Sequence, residues 1–422
     1  MERLTRRARR IAIAGVCLFT LLAPRPAAAY SVLAHEAIID ALWDGTIRPL
    51  LVRRFPQTTP QDLVSARAYA YGGSLIQDLG YYPFGPRFFS NLLHYVRSGD
   101  FVEALIREAH DVDEFAFALG ALSHYAADNV GHPEGVNKSV PLMFPKLRAK
   151  FGNLITYVQS PVSHVIVEFS FDIVQAAAGA YLPDTYHAFI GFEVAKPALE
   201  RAFRDVYGLE MKDVFVNEDM TIATYRHSVS ELIPQLTQAA WKSKHEQIAR
   251  LTPGVKESSF IYTYTRQQYE KEFGTGYRKP GWLARVIMVF YKLLPKVGPL
   301  KPLTFKTPTP QAETLFAVSF KDVRARYAAA LDAVARGRLD LPNTDFDTGK
   351  RSGYGEYPLA DKTYAELLKR LSRQQFANIP TALRRNITAY YAATPTSTIT
   401  RKEQQQRDKI QKHLAAMRVA AQ

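Results

Sequence analysis

The chain has 422 residues, 47% of them hydrophobic and 22% charged, which excludes a disordered or fibrous protein and leaves room for a substantial core. Lys and Arg exceed Asp and Glu by 54 to 40, a formal charge of +14. Such a balance suits anionic lipid surfaces and nucleic acid alike, so it does not choose between them.

The first segment reads MERLTRRARRIAIAGVCLFTLLAPRPAAAYS: a basic start, an apolar stretch from Ile11 to Ala23, and small residues Ala27, Ala28 and Ala29. That order predicts a signal peptide over residues 1–29, cleaved between Ala29 and Tyr30, and an exported protein, periplasmic or secreted. The apolar stretch is too short to span a bilayer comfortably as a permanent helix. Paired arginines ahead of it also permit the twin-arginine route. Cleavage removes six Arg and one Glu, taking the charge to +9, and removes the single cysteine, Cys17. Stability of the mature chain then rests on packing or on bound ions, not on disulfides.

The elements that follow are predicted to be helical. LAHEAIIDALW (33–43) sets Leu33, Ala37, Ile38, Ala41 and Leu42 on one broad face. TTPQDLVSARAYAYGGSLIQDLG opens with Thr59 before Pro60, an N-cap followed by a first-turn proline. DEFAFALGALSHYAADNVGH is apolar nearly all round, as a buried central helix should be, and should end around Gly131–Pro133. SPVSHVIVEFSFDIVQAAAGAYL starts from Ser160–Pro161, and its β-branched run leaves some room for a strand. Residues 30–250 read as one unit; Pro, Tyr and Lys become frequent over 252–312, and helical patterning returns over 313–340 and 360–393. The expected architecture is therefore an all-α multi-helix bundle with a mainly helical C-terminal extension over 251–422, whose role the sequence does not reveal.

Two helices carry unusual polar patterns. His124, Asp128 and His132 recur at intervals of four, and His164 is followed by Glu168 at the same interval. On a helix, i and i+4 lie one above the other, so His124 and Asp128 can reach one ion. His132 has drifted roughly 80° around the axis from His124 and suits a neighbouring ion. A single histidine on an apolar face is ordinarily a satisfied core residue. Several imidazoles and carboxylates inside apolar helices are different, because burying them without partners is costly, and they are the usual zinc ligands where cysteine is absent.

With these motifs in place the chain resembles the zinc-dependent phospholipase C family, which shares its helical fold with single-strand-specific zinc nucleases. The resemblance covers residues 30 to about 170. It implies three zinc ions: one on Asp78, His94, His124 and Asp128; a second on the backbone of an N-terminal Tyr30, with His35 and the bridging Asp128; a third on His132, His164 and Glu168. GGSLIQDLGYY supplies Asp78, NLLHYVRSGD supplies His94, and YSVLAH places His35 five residues after Tyr30, the spacing of the nuclease branch, which starts with tryptophan. The implied chemistry is attack of an activated water on a phosphodiester, with Asp78 as the catalytic residue that orients or deprotonates it. Choline-selective phospholipases have an aromatic residue after the Asp78 position; this chain has Leu79, with Tyr81, Tyr82 and Phe84 close by as alternative lining.

The resulting expectation is an exported phospholipase C releasing diacylglycerol and a phosphorylated head group. The alternative is a nuclease releasing 5′-nucleotides, and a third reading is a non-catalytic, zinc-stabilised envelope or lipid-binding protein. KPGWLARVIMVFYKLLPKVGPLK (279–301) reads as a basic amphipathic segment suited to peripheral membrane contact, or as a core helix. His110, His187, His227, His245 and His413 lack ligand spacing and are assigned to no metal.

Overall fold

Proline in the first turn opens several helices, because its missing N–H is one the helix start leaves unpaired anyway. The computed structural model describes residues 31–177, 192–228, 246, 305–392 and 401–420. In chain order the helices are α1 (Val32–Leu42), α2 (Arg48–Arg54), α3 (Pro60–Gly73), α4 (Arg87–Tyr95) and α5 (Ser98–Arg107). They continue with α6 (Val112–Val130), α7 (Asn137–Met143), α8 (Pro145–Phe151), α9 (Pro161–Ala177), α10 (Lys196–Tyr207) and α11 (Glu218–His227). The last are α12 (Pro310–Ala335), α13 (Pro358–Arg373), α14 (Thr381–Tyr390) and α15 (Arg401–Val419). The fold is all-α: among the described residues there is no strand, only an isolated antiparallel bridge between Asp345 and Lys350. Within the segment that left room for a strand, residues 161–177 are helix α9. None of the helices searched is long and apolar enough to cross a membrane.

Helix α6 is the axis of the molecule, buried from Glu114 to Asp128. Among the described helices its closest neighbour is α3, and small residues make that approach possible. A Cβ added at Gly73 would lie 1.9 Å from the Phe117 carbonyl oxygen, and one at Gly120 would lie 2.1 Å from that of Ala70. Side chains larger than hydrogen at these positions would force the two backbones apart. The start of α3 follows the predicted cap: Thr59 accepts the Asp62 N–H, and the Asp62 side chain accepts in return from the Thr59 N–H at 2.8 Å.

Past Val130 the structure departs from a simple helix end. Gly131–Val136 form a π-helical turn that leads directly into α7, so Pro133 re-spaces the helix instead of ending it. This turn, as well as the angular drift of an ideal helix, sets the direction of His132.

The boundary expected near residue 250 lies outside the described residues. On either side of it, side chains share one hydrophobic cluster that includes Phe117 and Leu122 of α6 and Phe316, Tyr327 and Leu331 of α12. The Tyr327 hydroxyl donates to the Leu119 carbonyl at 2.9 Å, tying α12 to the central helix. Residues 1–30 and 279–301, with the proposed leader and the amphipathic segment, also lie outside the described residues.

Candidate metal centre

Three groups of buried ligand-type side chains gather around the C-terminal half of α6: His35, His124 and Asp128; Asp78, His94 and His124; and His132, His164 and Glu168. Each arrives on its own element. His35 comes from α1, Asp78 from a 3₁₀ turn (Ile76–Tyr81) that follows α3, His94 from the end of α4, and His164 and Glu168 from α9. Exposure of these side chains is between 0% and 3%. Tyr30, the expected N-terminal ligand, lies outside the described residues. The chain just after it is held by Asp172, whose carboxylate accepts the N–H groups of Leu33 and Ala34 at 2.8 and 3.1 Å. Asp172 extends the His164–Glu168 series by another four residues along α9.

Asp128 sits at the junction of the first two groups. Its Oδ1 is 3.7 Å from His35 Nε2, while its Oδ2 is 3.2 Å from His124 Nε2 and 3.5 Å from His94 Nε2. One carboxylate thus turns its two oxygens to different histidines, the geometry a bridging ligand requires. His94 Nε2 also lies 3.4 Å from Asp78 Oδ1. The rings of His35 and His124 stack with centroids 4.6 Å apart and planes at 9°.

The opposite ring nitrogens are anchored. His94 Nδ1 donates to the Ser90 carbonyl at 2.8 Å, His124 Nδ1 to Ser74 at 2.9 Å, and His132 Nδ1 to Phe346 at 2.9 Å. Holding a proton on Nδ1 leaves the Nε2 lone pair directed inward, as metal-binding histidines are commonly arranged. Those inward atoms have no hydrogen-bond partner: Nε2 of His94, His124 and His132, both oxygens of Asp128, Oδ1 of Asp78 and Oε2 of Glu168. Leaving a buried polar atom without a partner costs about 1–3 kcal/mol, and proteins rarely cluster several. Imidazole nitrogens and carboxylate oxygens converging in this way fit zinc, so the residues present suit the ion.

The electrostatics of the metal-free chain show the same concentration. Burial acts to lower His94, but the Asp128 and Asp78 carboxylates outweigh it and raise its pKa to about 10. Burial and the neighbouring His124 push His35 down to about 3. Burial also acts to raise Asp128, yet His124 and His94 hold it well below the ordinary carboxylate range. Groups of opposite shift packed this closely mark a functional site more often than a structural one.

The third group is separate from the others and differs in its bonding. His164 Nδ1 meets Glu168 Oε1 at 2.8 Å and its Nε2 meets Asn137 Oδ1 at 2.7 Å, so a ligand there must exchange one of these partners. His132 Nε2 is 3.9 Å from Glu168 Oε1. Sequence reasoning did not identify Asn137, Phe346 or Asp347. Their only sequence trace is the acid–aromatic–acid run Asp345–Phe346–Asp347, which follows no helical period.

Of the aromatics offered as lining, Tyr81 packs its ring edge-on to His94 at 5.8 Å, while Tyr82 packs against Tyr225 at 4.9 Å, away from the ligands. Leu79 is fully buried. Tyr157, which the sequence did not single out, stands edge-on to His164 at 5.8 Å. His110 is exposed, and His413 bonds to Ser372.

Residues 34–216 match the family model described as zinc dependent phospholipase C. No curated protein and no solved structure matches the chain.

Proposed function

We propose, from the match of residues 34–216 to the zinc-dependent phospholipase C family, that this chain is an exported phosphodiesterase that cleaves a glycerophospholipid into diacylglycerol and a phosphorylated head group. The observation that carries the reading is the carboxylate of Asp128, fully buried, with each oxygen turned to different histidines. Three zinc ions are assigned to Tyr30, His35, Asp78, His94, His124, Asp128, His132, His164 and Glu168. Zinc held by these residues supplies positive charge to phosphoryl oxygens and makes water a competent nucleophile near neutral pH.

The chain's own groups supply orientation. The carbonyls of Ser90, Ser74 and Phe346 hold three imidazoles in fixed tautomers, so the ligand set needs little rearrangement. Asp78, whose Oδ1 lies 3.4 Å from His94 Nε2, is the residue we assign to orient the attacking water and accept its proton. Tyr81 and Tyr157 wall the His94 and His164 sides with aromatic surface, which limits access of bulk water.

The test uses protein beginning at Tyr30 and loaded with zinc. Release of phosphorylated head group from mixed phospholipid vesicles is compared with release of nucleotides from single-stranded DNA, with and without chelator. Chelator-sensitive head-group release alone is expected. Nucleotide release alone would assign the chain to the nuclease branch, and full zinc content without turnover on either substrate would support the non-catalytic reading.

A further inference from the structure

The loop from Leu341 to Tyr357 lies outside the segment that matches the family, yet it reaches the ligand cluster. The Phe346 N–H donates to the His94 carbonyl at 3.2 Å, and the Phe346 carbonyl accepts from His132 Nδ1 at 2.9 Å. Its ring lies 5.0 Å from that of His94 and 6.0 Å from that of His124. The next residue, Asp347, is 2% exposed, and its Oδ1 lies 3.7 Å from the same His132 Nδ1. Its Oδ2 accepts from the Tyr95 hydroxyl at 2.8 Å and from the Tyr357 hydroxyl, and its backbone carbonyl accepts from Asn137 Nδ2 at 2.7 Å.

A buried carboxylate is costly unless its oxygens are satisfied. Here two tyrosines satisfy one oxygen and leave the other turned to a histidine. Both tyrosine hydroxyls donate to Oδ2, so that oxygen is turned away from the ligand cluster. His132 Nδ1 therefore lies between a carbonyl and a carboxylate. That environment keeps the proton on Nδ1, directs Nε2 toward Glu168, and raises the electron density on the ligand nitrogen.

We propose that Asp347 is a positioning residue for the third metal site, acting through His132, so that a loop outside the family segment completes that site. Asn137 extends the same arrangement: it holds the Asp347 backbone with its amide nitrogen and meets His164 Nε2 with its amide oxygen, linking both imidazoles of the third group to this loop. The proposal rests on the zinc reading above.

The test measures zinc per chain across a graded series of chelator strengths, together with the ligand-field spectrum of the cobalt-substituted protein. Asp347→Asn should weaken one ion of three by about 10–100-fold, the usual effect of removing a group that orients a metal-binding histidine. It should alter one cobalt band and leave the other two ions at wild-type strength. Tyr357→Phe, which leaves the carboxylate in place, should produce a smaller shift in the same ion. Three ions held as tightly as in wild type would overturn the proposal. So would loss of all three at one chelator strength, because Asp347 would then be supporting the fold as a whole. A wild-type chain that holds no ion at His132, His164 and Glu168 would instead remove the zinc reading itself.

Discussion

Replacing Asp128 by Asn keeps the shape of the side chain and removes the charge that faces His35, His94 and His124 at 3.2–3.7 Å. Removing one partner from a buried charged set costs about 3–5 kcal/mol. At about 1.4 kcal/mol per tenfold, that is roughly a 10²- to 10³·⁵-fold loss of affinity for each ion that used the carboxylate. Because its oxygens face different histidines, two ions should weaken together. Zinc content after dialysis against a chelator that wild type resists should fall from three per chain to one, the remaining ion belonging to His132, His164 and Glu168. Circular dichroism of the variant should remain helical, since α6 is packed along its length by other residues. Loss of a single ion would refute the bridging assignment, and retention of all three would refute the placement of Asp128 among the ligands.

Other consequences follow from the same geometry. Gly120→Ala drives a methyl group into the Ala70 carbonyl and should lower stability by about 1–3 kcal/mol or more, read as a fall in the urea midpoint; an unchanged midpoint would show that α3 and α6 are not in backbone contact. In the metal-free chain His94 titrates at about 10, above the ordinary 6.5, so at pH 7.5 it carries a proton that zinc must displace. Zinc affinity should therefore rise about tenfold per pH unit from this group between pH 7 and 9, with proton release visible by calorimetry in two buffers; a flat affinity would contradict the raised value. One extra residue ahead of Tyr30 should lower both zinc content and turnover by displacing the chelating amine, and unchanged values would exclude an N-terminal ligand.

Much of this site was legible in the sequence because its geometry is local. Pairs at i and i+4 meet on any α-helix, so His124 with Asp128 and His164 with Glu168 are determined by helicity alone. The cap at Thr59 is local as well. What could not be read depends on distant chain segments. The bond from His132 to the Phe346 carbonyl spans 214 residues, and the hold of Asp172 on Ala34 spans 138. No periodic pattern encodes either, because each is created when α1, α6 and α9 pack together with the 341–357 loop. The π-helical turn at Gly131–Val136 is intermediate: Pro133 announced a disturbance, but whether the chain would stop or re-space depended on the packing around it. Leu79 and Tyr82 show the same limit, since their proximity to Asp78 along the chain did not determine which way they face.

The most direct test of the central claim is zinc-edge anomalous diffraction from crystals of the zinc-loaded chain beginning at Tyr30. Three peaks are expected: one among Asp78, His94, His124 and Asp128, one between His35 and Asp128, and one among His132, His164 and Glu168. Peaks absent from these positions, or zinc found only on surface histidines, would contradict the account.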